Sequence, residues 1–179
     1  MRTFSCVMFL ALMPVSLGWA QGHNNSVVEA STVLATDAAH ANSTLKMAVV
    51  AQIAPGYHIN DHKPTLDYLI ATEFKLDPTD QITTAHTVYP KGTLRKFSFS
   101  DVSLSVYEGT IIVGAVLQVA KAVPPGSYTL KGKFAYQACN DHACLPPTSV
   151  PLTVTVKVVP RTVPLKPVDS DVFERFQFE

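Results

Sequence analysis

The chain has 179 residues, of which 47% are hydrophobic, and it carries 14 basic and 14 acidic side chains. That length and apolar content fit one domain with a full core. A formal net charge of zero, without a long run of like charges, excludes the basic footprint of a nucleic-acid binder and a polybasic membrane patch.

The chain opens with Met1-Arg2-Thr3, an apolar run over residues 4–17, and Gly18-Trp19-Ala20. This is the layout of a secretory signal peptide, with cleavage expected after Ala20. Nothing later approaches the ~18 uninterrupted apolar residues that a membrane-spanning helix needs, so the expectation is a soluble, exported chain, periplasmic or secreted. Loss of residues 1–20 removes Cys6 and leaves Cys139 and Cys144 as a pair, which an oxidising compartment permits to bond.

Residues 21–43 are polar and small, with only Val27-Val28 and Val33-Leu34 offering apolar surface, and read as a loose N-terminal arm holding at most one weak strand. Strict alternation then begins at Leu45, Met47, Val49, Ala51 and Ile53 and stops at Pro55-Gly56, as a strand with one buried face does. Tyr57-His58-Ile59-Asn60 reads as a short strand, Asp61-His62-Lys63-Pro64 as a loop, and Leu66-Asp67-Tyr68-Leu69-Ile70 as renewed β structure. Phe74-Lys75-Leu76 is another short run, closed by Asp77-Pro78, and Pro90-Lys91-Gly92 is a turn. Phe97 and Phe99 follow among polar residues; they read as exposed, although their alternation with Lys96 and Ser98 also suits a strand packing on the core. The clearest strands come last. Residues 110–119, 128–136 and 150–158 each place five apolar or small residues on one face, with Pro124-Pro125-Gly126 as a turn.

Many short strands, frequent turn signals and no amphipathic helix predict an all-β fold, an immunoglobulin-like antiparallel β-sandwich over residues 44–159. Pro151 places the start of its strand at a sheet edge. Residues 160–179 form a proline-rich C-terminal tail ending in Phe173, Phe176 and Phe178, which packs on the sandwich or tethers it to something else.

The chemistry concentrates in Cys139-Asn140-Asp141-His142-Ala143-Cys144, and three readings compete. A structural disulfide, in an immunoglobulin-like binding or assembly module, is the simplest, yet so short a ring removes only about 2 kcal/mol of unfolded-state entropy. In a redox-active pair, one thiolate attacks a partner's disulfide and the other resolves the mixed disulfide. A short polar loop suits this, with His142, when protonated, favouring a thiolate and Asp141 opposing it. A copper or zinc site would use the cysteines and His142 with His58 or His62, but zinc sites usually show tighter cysteine spacing and a second pair.

Tyr136-Gln137-Ala138-Cys139 and Cys144-Leu145-Pro146-Pro147, followed by a valine-rich strand, resemble the active-site hairpin of the amino-terminal periplasmic domain of the thiol:disulfide interchange protein DsbD. The resemblance continues in Gly56-Tyr57-His58-Ile59-Asn60, Val88-Tyr89-Pro90 and Tyr107-Glu108-Gly109. It implies a reversible Cys139–Cys144 disulfide and no cofactor or metal. Electrons would arrive from a membrane-embedded reductase through a thioredoxin-like donor domain and leave to thioredoxin-fold acceptor proteins. By the same resemblance Cys144 forms the mixed disulfide and Cys139 resolves it. A cap loop over residues 95–103 shields the pair through Phe97 or Phe99, with Asp101 as the acidic residue of the cap. Tyr57, His58, Asn60, Tyr107, Asp141 and His142 furnish the surroundings. His58 and Asn60 stand where the family's best-known member has tyrosines. The expectation is a free-standing version served by a separate reductase.

Overall fold

The computed structural model describes residues 26–175. The expected signal peptide, Cys6, Phe176 and Phe178 lie outside the described residues. In chain order the described elements are β1 (Val28–Leu34), β2 (Ala39–His40), β3 (Thr44–Ile53), β4 (His58–Asn60), β5 (Glu73–Leu76), β6 (Ile82–Val88), β7 (Thr93–Arg95), β8 (Leu104–Tyr107), β9 (Thr110–Val119), β10 (Gly126–Tyr136), β11 (Ala138–Cys139), β12 (Thr148–Val159) and a short helix, α1 (Ser170–Arg175).

Two four-stranded sheets, ordered β1-β3-β9-β6 and β2-β12-β10-β5, form the faces of the sandwich, and a third, β11-β4-β8-β7, carries the cysteine hairpin. All strand pairs are antiparallel except the short β2–β12 contact. This is the immunoglobulin-like antiparallel arrangement that the alternation predicts. Its core holds Leu45, Met47, Val49, Ala51 and Ile53 from β3, Ile111, Val113, Ala115, Leu117 and Val119 from β9, and Leu152, Val154, Val156 and Val158 from β12. Phe134 of β10 is completely buried among them, and each of these side chains larger than alanine contributes about 1.5–3 kcal/mol by leaving water. Pro151 pairs with Lys133 on one side, while β2 reaches β12 only at Val158 and Val159. The amide that Pro151 lacks therefore belongs to an open edge.

Two local expectations are corrected. Residues 28–34 are an edge strand rather than a loose arm, in unbroken register with β3 from Val28↔Ile53 to Leu34↔Met47. Their small polar residues hide this because only Val28 is fully buried. Residues 66–70 are not a strand. Leu69 N–H closes a turn on Leu66 O, and Tyr68 and Ile70 are exposed; an apolar run without a partner strand makes no ladder. The tail returns to the sandwich, where Thr36 bridges Pro167 and Val168 N–H donates to Ala35 O.

Candidate functional site

The third sheet has two unlike faces, and the strand period of two assigns its residues. Ile59 pairs with both Ala138 and Tyr107, and these three side chains join the sandwich core. The opposite face carries His58 and Asn60 of β4, Val106 of β8 and Cys139 of β11. All four are buried, yet they stand apart from the main core.

Cys139 and Cys144 form a disulfide with Cα atoms 3.9 Å apart. Leu145 N–H donates to Ala138 O and Asn140 N–H to Ala143 O. The cysteines between them are thus a non-hydrogen-bonded antiparallel pair, the closer of the two pair types. The intervening loop is set by Asn140, whose Oδ1 accepts from His142 N–H and Ala143 N–H, both at 2.9 Å; asparagine favours such turns because its side chain can mimic a backbone carbonyl. The two sulfur-bearing residues differ sharply in access. Cys139 is 2% exposed, whereas Cys144 and the loop residues Asp141, His142 and Ala143 are exposed.

Cys139 is the Cα partner of His58. His58 is buried, and its Nε2 has no hydrogen-bond partner. Burial lowers its pKa below the usual imidazole value; Glu108 and Asp141 draw it back up and Arg95 adds to the lowering. Phe97 stacks on the imidazole with ring centroids 4.3 Å apart, and Phe99 stacks on Phe97 at 5.2 Å. Neither phenylalanine lies in a strand. They occupy the loop after β7, which is turned by Ser100 N–H donating to Phe97 O and by Lys96 Nζ donating to Ser100 O, and Phe99 is 51% exposed. Asp101 is exposed in the same loop. A groove of about 700 Å³ runs beside the site, lined by Tyr57, His58, Arg95, Phe97, Glu108 and Asp141, among others. Arg95 Nε lies 3.4 Å from Glu108 Oε1 across it. Tyr57 enters this groove after a Pro55-Gly56 turn closed by Tyr57 N–H on Ala54 O, with Gly56 at φ +81°, where glycine is favoured.

Asn60 and Tyr107 have other partners. Asn60 Nδ2 donates to Ile70 O at 2.9 Å, and Thr72 Oγ1 donates to Asn60 O at 2.5 Å, so this pair ties down the 61–72 loop. Tyr107 lies on the core face of its strand, and its hydroxyl donates to Asp61 Oδ1 at 2.5 Å. Pro90 O lies 2.9 Å from the same hydroxyl; the single proton goes to the shorter, charge-assisted bond. Ser105 Oγ donates to Asp61 Oδ2 at 2.6 Å. Burial alone would raise the Asp61 pKa, but the bonds from Ser105, Tyr107 and the backbone of Lys63 and His62 outweigh it and hold it below the usual carboxylate range. The Tyr107 pKa is pushed well up, first by burial and then by Asp61. His62 stacks on Tyr89 at 3.6 Å. Sequence reading does not find the Asp61–Ser105 pair. The one signal for it is an aspartate directly after a buried strand and two residues before an amide that its Oδ1 accepts, that of Lys63.

Among the described residues no group of three or more His, Cys, Asp or Glu is placed to hold a metal ion, and both cysteines are spent on each other. The metal reading draws no support from this arrangement. No described helix is long and apolar enough to cross a membrane.

Residues 25–155 match the family described as thiol:disulfide interchange protein DsbD, N-terminal. No curated protein matches the chain. Among solved structures, the N-terminal periplasmic domain of ScsB from Proteus mirabilis aligns with a TM-score of 0.51 at 14% identity, over 76% of this chain and 49% of that one. This chain therefore spans about half the length of that relative, and the likeness is one of fold. A chain from the complex between the DsbD N-terminal and PilB N-terminal domains of Neisseria meningitidis aligns with a TM-score of 0.40 at 24% identity, covering 68% of this chain and 80% of that one. With the family match spanning most of its length and the cysteine hairpin closed as a disulfide, the chain belongs to the family of DsbD N-terminal domains.

Proposed function

We propose that the chain works in the periplasm, taking electrons from a thioredoxin-like domain fed by a membrane-linked reductase and delivering them to thioredoxin-fold acceptors. The supporting observation is the asymmetry of the disulfide, with an exposed Cys144 at the rim and a buried Cys139 at the base of a tight hairpin. In the reduced chain, the Cys144 thiolate attacks the acceptor's disulfide. A Cys144–acceptor bond forms, and the acceptor's other sulfur leaves as a thiolate. Cys139 then attacks Cys144 Sγ, the Cys139–Cys144 bond forms, and the acceptor departs with two electrons. The hairpin keeps the resolving sulfur beside the attacked one, so the second step is intramolecular and fast. Recharging by the donor runs the same steps in reverse. The stacked Phe97 and Phe99 serve as the shielding cap, and the expected signal peptide supplies the export route.

Residue-specific trapping tests the roles. Cys139→Ala should accumulate a mixed disulfide with a thioredoxin-fold acceptor through Cys144, and Cys144→Ala should accumulate none. Equal trapping by both variants would overturn the assignment.

A further inference from the structure

Three side chains stand in one cross-strand row: His58 on β4, Cys139 on β11, and Cys144 on the return of the hairpin. Directly opposed antiparallel residues project to the same face with Cβ atoms about 5 Å apart, so Cys139 has the imidazole on one side and its disulfide partner on the other. Cys139 is 2% exposed and His58 3%. An ordinary thiol, with a pKa of about 8.5, is mainly protonated at neutral pH and attacks only as the thiolate, so when the disulfide opens Cys139 must lose a proton to react. It then needs a proton acceptor, which bulk water does not readily reach. Among the described residues, His58 Nε2 is the buried side-chain nitrogen or oxygen without a hydrogen-bond partner, and Phe97 lies over its ring. The charged groups acting on it are Glu108 from the β8–β9 turn, Asp141 from the hairpin loop and Arg95 from β7, while Tyr57 and Lys96 line the same groove.

We propose that His58 is the proton acceptor for Cys139, taking the thiol proton as Cys139 attacks the mixed disulfide at Cys144. The inference rests on the relay reading above. The proton moves from Cys139 Sγ to the imidazole, the Cys139–Cys144 bond forms, and the bond between Cys144 and the acceptor sulfur breaks. The electron pair leaves with that sulfur, which then takes the proton back from the imidazolium. The lowered imidazole pKa keeps the ring neutral and able to accept at neutral pH.

The test uses the reduced chain and oxidised glutathione, with acid quenching and mass spectrometry to follow the lifetime of the glutathione mixed disulfide against pH. An acceptor already neutral above pH ~6.5 makes resolution nearly independent of pH from about 7 to 8.5 in the wild type. In His58→Gln the lifetime should lengthen about tenfold for each unit that pH falls over that range, reaching about 30-fold over wild type near pH 7, because attack then depends on the free thiolate fraction. A wild-type profile with that same tenfold slope would overturn the proposal without any variant. So would a His58→Gln lifetime longer by one constant factor at every pH, which is the mark of a structural effect. If no mixed disulfide forms, or none resolves at any pH, the relay reading itself fails and takes this inference with it. Resolution with the wrong pH profile sinks the role of His58 alone.

Discussion

Cys139 faces His58 across the β4–β11 ladder and Cys144 across the hairpin, so the buried cysteine stands in one row between the histidine and the exposed cysteine. Two thiols five positions apart thereby acquire different environments from a single short strand. In the reduced chain, Cys144 should be alkylated by a neutral reagent such as iodoacetamide at least tenfold faster than Cys139 at pH 7.5, because burial both raises a thiol's pKa and blocks approach. Peptide mass spectrometry after timed quenching measures the ratio. Equal rates would mean that the exposure difference does not survive reduction.

Phe97 holds His58 away from water through the 4.3 Å stack. Phe97→Ala should let the imidazole pKa climb from its lowered position back toward 6.5, read by NMR titration of the His58 ring protons. The same variant should be reduced by dithiothreitol several-fold faster than wild type. Phe99→Ala should do less on both counts, since that ring is half exposed and touches Phe97 rather than His58.

Asp61 anchors the far end of the small sheet through Tyr107 and Ser105. Its folded pKa lies below the ordinary 3.8, so its contribution to stability is complete above that value and is lost as pH falls through the lower folded value. Tyr107→Phe removes one of the bonds that hold it down and should destabilise the chain by about 1–3 kcal/mol at pH 7. Urea unfolding should show that gap narrowing as pH drops below 3.8. A gap independent of pH would assign the loss to ring packing instead.

Gly92 lies against this same pair. A Cβ built there would meet Ser105 Oγ at 2.5 Å and Asp61 Oδ2 closer still, well inside van der Waals contact. Gly92→Ala should therefore lower stability by about 1–3 kcal/mol and weaken the Ser105–Asp61 bond. The expected crystallographic sign is a shift of the Ser105 hydroxyl away from the carboxylate, and an unchanged midpoint of unfolding would contradict the reading.

The long strands β3, β9, β10 and β12 are legible in the sequence because each buries one face, and a period of two then shows directly in residue type. The edge strand β1 is not, since Glu29, Ser31 and Thr32 mask Val28 and Leu34 and its order comes from pairing with β3. Residues 66–70 mislead in the opposite sense, being β-like in composition but lacking a neighbour to bond. At the site, the cysteine pair and the two phenylalanines can be picked out, whereas the exposure of Cys144 and the burial of Cys139 cannot, because both follow from which strand each cysteine meets. Tyr107 shows the same limit. It is recognisable as part of the family pattern, but its hydroxyl is directed to Asp61 by the face of β8 that it occupies.

The central claim is that Cys139–Cys144 is an exchanging disulfide rather than an inert staple. Its most direct test is the equilibrium reduction potential against a thioredoxin of known potential. The account predicts a value between about −270 mV and about −180 mV, the range spanned by thioredoxins and disulfide isomerases. A value below about −300 mV, where structural bridges lie, would contradict it.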